Sequence, residues 1–85
     1  MPVISRFFGI IIFMLWREHN PPHFHAKYGE DEITVEIESG KVNGTMSKRA
    51  LNMIEEWHKL HKEELLHNWK SAEAKKAFSP IKPLE

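Results

Sequence analysis

The sequence predicts an α+β fold: a three- or four-stranded antiparallel meander followed by two C-terminal helices packed on one face. Three observations predict it. Ile33, Val35 and Ile37 alternate with Thr34, Glu36 and Glu38, the period-two pattern of a half-buried strand. Turn residues recur at short intervals, at Gly29 and at Ser39-Gly40, as a meander requires. From residue 47 the apolar period changes to that of a helix, through Leu51, Ile54, Trp57, Leu60, Leu65 and Trp69. At 85 residues the chain has room for one domain, with strands over about 3–45, helices over about 47–77 and a tail over 78–85.

The elements follow in order. Residues 7–16 read FFGIIIFMLW, without a charge. A membrane-spanning helix needs about 20 apolar residues, so this run is too short to be one. No small-residue cleavage site follows, since Arg17, Glu18 and His19 end it. It reads as one strand buried on both faces, with Gly9 marking a bulge or a close backbone approach. The run His19-Asn20-Pro21-Pro22 breaks it, because Pro21 and Pro22 carry no amide donor. An extended segment resumes at His23, with His23, His25 and Lys27 on one face and Phe24, Ala26 and Tyr28 on the other. Val42 begins a short fourth strand. Ser47 is the expected N-cap of the helical half. The apolar stripe drifts between Leu60 and Leu65, which predicts two helices joined near His61, or one kinked helix. In the tail, Ile81 and Leu84 are placed to dock on the sheet.

Composition removes several functions. Twelve Lys+Arg balance twelve Asp+Glu, so the chain lacks the basic excess of a protein that coats nucleic acid. A local basic patch remains open, with Lys48 and Arg49 at the helix start placed to touch phosphate. With no cysteine there is no disulfide, thiolate metal site or Cys nucleophile. A cytoplasmic protein without membrane attachment is the expectation. A strand as apolar as residues 7–16 needs cover on both faces, and two helices cover only one. This predicts a homo-oligomer or a complex with a cognate small protein.

Histidine is the excess: six in the chain, three of them at 19, 23 and 25. Three readings of the cluster stand side by side. In the first, His19, His23 and His25, joined by Glu30, ligate a divalent metal such as zinc, nickel or iron, since alternate strand residues share a face. In the second, His23 and His25 act as general base and acid of a ribonuclease. Arg17 or Lys27 then steadies the charged transition state, and Phe24 and Tyr28 stack a base. In the third, the imidazoles hold backbone carbonyls at the Pro-Pro turn and have a structural role. His58, His61 and His67 fall on the helical half without a His-Glu-x-x-His motif, so zincin chemistry is excluded.

The segments I-S-R-F-F-G-I-I-I-F-M, H-N-P-P-H-F-H-A-K-Y-G, K-R-A-L-N-M-I-E-E-W and E-L-L-H-N-W resemble a small prokaryotic family, domain of unknown function 4160, over residues 4 to about 73. The resemblance implies a short stand-alone bacterial protein. It also implies a gene neighbour from a second small family, numbered 2442, in an arrangement like a toxin–antitoxin pair. It carries over no catalytic residue. The leading functional expectation is therefore an interaction component of such a two-gene module, with the ribonuclease and the metal-binding protein as alternatives.

Overall fold

The structure, a computed structural model, describes residues 2–85. It is α+β. Five antiparallel strands lie in sequence order, β1 (Val3–Phe7), β2 (Ile10–Phe13), β3 (His23–Tyr28), β4 (Asp31–Glu36) and β5 (Val42–Asn43), followed by one helix, α1 (Lys48–Glu73).

Two expectations are corrected. The uncharged run is not one strand but the two arms of a hairpin. Phe7 pairs with Ile10, and the two residues between them, Phe8 (φ 49) and Gly9 (φ 82), are both left-handed. A two-residue hairpin turn of this kind needs positive φ at both central positions. Gly9 supplies it without strain. Phe8 is carried into it and leaves its ring exposed. The count therefore rises to five strands. The packing argument for a partner weakens with it, because Arg6 and Phe8 face solvent and Ile11 is only half-buried.

The second correction concerns the helices. There is one helix, kinked where the stripe drifts. His61 alone leaves helical geometry (φ −124, ψ 22), and the helix resumes directly after it. A single displaced residue re-aims the apolar stripe without a loop. Ser47 caps the start, its hydroxyl oxygen accepting the Ala50 N–H at 3.2 Å.

The core lies between α1 and the sheet face carrying Ile12, Phe24, Ala26, Ile33 and Val35. Trp57 anchors it, its ring 5.5 Å from that of Phe7 and 5.6 Å from that of Phe24. The tail closes the β1 flank of this interface. The Ile81 N–H donates to the Ile4 carbonyl at 2.9 Å, and the Trp57 indole N–H donates to the Lys82 carbonyl at 2.9 Å. Ile81 is buried and Leu84 half-buried, as the sequence suggests. Among the described residues no helix is long and apolar enough to cross a membrane.

Candidate metal centre

Strand alternation sorts β3. Phe24 and Ala26 turn toward α1 and are fully buried, while His23, His25 and Lys27 turn to the opposite face. The register places His25 between Phe13 on β2 and Thr34 on β4, and His23 opposite Glu36. The Phe13 ring stacks on the His25 imidazole at 4.8 Å and 13°, which fixes the ring plane. Trp69 of α1 lies 5.3 Å from the His23 ring and closes the other side.

A carboxylate completes the group. The chain leaves β2, turns at Trp16 and Arg17, and brings Glu18 back over β3. Arg17 is left-handed (φ 63), a conformation that costs a non-glycine residue about 1–2 kcal/mol. The turn is pinned from behind, since the Trp16 indole N–H donates to the Lys76 carbonyl at 2.9 Å and its ring stacks on Phe78 at 4.7 Å. Glu18 Oε1 then lies 2.7 Å from His25 Nε2 and 3.1 Å from His23 Nε2. Ligand atoms of Glu18, His23 and His25 all fall within 4.8 Å of one another.

The hydrogen-bond inventory makes this group unusual. His23 Nδ1 lies 2.9 Å from the Pro21 carbonyl oxygen, which can only accept. Its Nε2 faces the Glu18 carboxylate at 3.1 Å. An imidazole held between a carbonyl and a carboxylate can keep its N–H on the carbonyl and give Nε2 to a cation shared with the carboxylate. His25 shows the complementary defect. Its Nδ1 is buried without a hydrogen-bond partner, and Glu32 Oε2 stands 3.6 Å away, beyond a hydrogen bond. Metal-bound imidazoles commonly donate the second ring N–H to a carbonyl or carboxylate, and these two rings face one of each. Donors about 2.0–2.1 Å from one tetrahedral ion lie roughly 3.3 Å apart. The present separations of 2.7 and 3.1 Å are hydrogen-bond lengths, below that spacing by about 0.6 and 0.2 Å, so the carboxylate and the rings must move apart to admit an ion.

The residues singled out from sequence divide clearly. His23 and His25 meet as expected, and neither expected third ligand does. His19 is exposed and lines a hollow beside His23 with Asn20, Thr34 and Asn43. Glu30 sits in the turn beyond Tyr28, which is itself about 10 Å along the strand from His25; the acid that approaches His25 from that side is Glu32. Phe24 is buried against Trp57, and half-buried Tyr28 shares its face. Both lie behind the sheet from the imidazoles and cannot stack a base there. Lys27 shares the imidazole face, opposite Glu32 in register, and is exposed. Arg17 is exposed beside Glu18. Lys48 and Arg49 occupy the first turn of α1, roughly 30 Å of helix from Trp69, and so do not join this group. Glu18 is the residue that sequence reasoning missed. The signal was the spacing Glu-x4-His-x-His, an acid one turn ahead of two same-face imidazoles.

The family described as Domain of unknown function (DUF4160) matches residues 9–70 of the chain. No curated protein and no solved structure matches it.

Proposed function

The chain belongs to the DUF4160 family, and from that premise we propose that it binds one divalent transition metal through Glu18, His23 and His25. The observation that carries this reading is the convergence of two imidazole Nε2 atoms on one carboxylate oxygen, at 2.7 and 3.1 Å. A set of two histidines and one carboxylate suits zinc, nickel or iron and leaves coordination positions open for water or substrate. Zinc held by Glu18, His23 and His25 would acidify a bound water and could polarise a carbonyl or phosphoryl oxygen. The same convergence argues against metal-free acid–base cleavage of RNA, since both Nε2 atoms are turned onto Glu18 and away from an incoming ribose hydroxyl. Pairing with a cognate small protein rests on the family's gene arrangement; no distance in the site supports it.

The test is calorimetric titration of tag-free protein with Zn2+, Ni2+ and, anaerobically, Fe2+. One ion per chain is expected, and Glu18→Ala, whose partly exposed side chain the core does not need, is expected to abolish it. A flat titration with all three metals, or unchanged binding by Glu18→Ala, overturns the reading.

A further inference from the structure

The two flanks of α1 are finished differently. On the β1 side the tail fills the wedge between helix and sheet, with Ile81 and Lys82 bonded across it. On the β4–β5 side no described segment fills it. A hollow of about 460 Å³ remains, with Val35, Val42, Leu51 and Ile54 among its walls. That volume falls in the range of small-molecule sites, roughly 300–1,000 Å³. Val42 at its rim is one of the few exposed large hydrophobic residues of the chain.

A polar anchor lies in its wall. His58 is 7% exposed. Its Nε2 lies 2.6 Å from the Ile37 carbonyl oxygen, which obliges that nitrogen to carry the proton. In the tautomer with its proton on Nε2, Nδ1 is an acceptor. It lies on the side of Gly40, 4.0 Å from where a Cβ at that position would stand. Gly40 is left-handed (φ 79) and lines the hollow, so the ring nitrogen stays uncovered there. The two lysines at the rim have partners, Lys59 with Glu55 at 3.6 Å and Lys62 with the Glu38 carbonyl at 3.1 Å, which leaves them less to offer an anion.

We propose that this hollow is a binding site for a small, neutral, mainly apolar molecule that donates one N–H or O–H to His58 Nδ1. It shares no lining residue with the metal centre.

The probe pair is indole and benzofuran, the same bicyclic shape with and without an N–H donor. Each is titrated into 15N-labelled protein and followed by amide chemical shifts. Indole is expected to shift the amides of Gly40, Val42, Leu51 and His58 in a saturable manner. It should bind at least tenfold more tightly than benzofuran, the discrimination expected when an anchoring hydrogen bond is lost. Gly40→Asn, a residue that tolerates left-handed backbone, is expected to cover the ring nitrogen and remove the preference for indole. The wild-type comparison stands without any variant. Equal binding of the two probes, shifts outside the hollow, or no saturable shift overturns the proposal.

Discussion

His25 and His58 are buried to nearly the same degree, 8% and 7% exposed, on opposite faces of one sheet. Each is packed against a phenylalanine, His25 stacked on Phe13 at 4.8 Å and His58 tilted against Phe24 at 5.7 Å. They differ in what their nitrogens meet. His58 gives one N–H to a carbonyl, and that bond joins α1 to the chain just after β4. His25 points at a carboxylate oxygen that a second imidazole also claims, and its other nitrogen is orphaned. Burial alone therefore does not mark a metal-binding histidine. The Ile37 carbonyl accounts for His58 Nε2 without a metal. A carboxylate shared by two imidazoles and a buried ring nitrogen without a partner leave the His25 ring unaccounted for without a further ligand.

The largest effect that tests this contrast is His58→Ala. It removes a packed ring and strands the Ile37 carbonyl, a loss of about 3 kcal/mol. Urea unfolding with and without zinc is expected to give the same loss in both. A loss that depends on zinc would mean that His58 belongs to the metal chemistry and would erase the contrast. His25→Ala is expected to behave oppositely. At a metal concentration a hundred times the dissociation constant, binding adds about 2.7 kcal/mol to the wild type. The variant should lose that increment, so its deficit grows when metal is added. A deficit independent of metal would put His25 in the same class as His58.

Glu32→Ala gives a smaller effect and sharpens the assignment of the orphaned nitrogen. Half of the Glu32 side chain is exposed, so the fold should tolerate its removal. If Glu32 closes the 3.6 Å gap to His25 Nδ1 when metal binds, its loss weakens metal affinity by about 10–100-fold. Unchanged affinity would show that the nitrogen finds its partner elsewhere.

How much of this was legible from sequence follows from the range of each interaction. The alternation of β4, the Ser47 cap and the shared face of His23 and His25 are set by neighbours within four residues, and all were readable. The turn at Phe8 and Gly9 is equally local, yet it was hidden. A lone glycine in an apolar run signals equally a bulge or a turn, and Phe8 is an unexpected occupant of left-handed backbone. The third ligand was illegible for another reason. It depends on how a loop pinned to Lys76 and Phe78 folds back, a contact between residues 60 apart in sequence. The placement of Phe24 and Tyr28 opposite the imidazoles was equally local, and period two made it readable.

The smallest effect concerns the residue that aims Glu18. Left-handed backbone costs Arg17 about 1–2 kcal/mol, and glycine adopts it freely but loses about 0.5–1 kcal/mol more chain entropy on folding. Arg17→Gly is thus expected to raise metal-free stability by roughly 0.5 kcal/mol. Metal affinity should fall less than threefold, since the turn is held from behind by Trp16. The outcome separates two sources of the turn. If stability instead drops by more than about 1 kcal/mol, the Arg17 side chain itself holds the loop, and Glu18 is aimed by a contact rather than by the backbone. His58 offers no counterpart to this experiment. It rides on a regular stretch of α1 before the kink, and its partner is a carbonyl fixed just beyond β4. Strain beside Glu18 and its absence beside His58 is the same contrast, expressed in the backbone rather than in the rings.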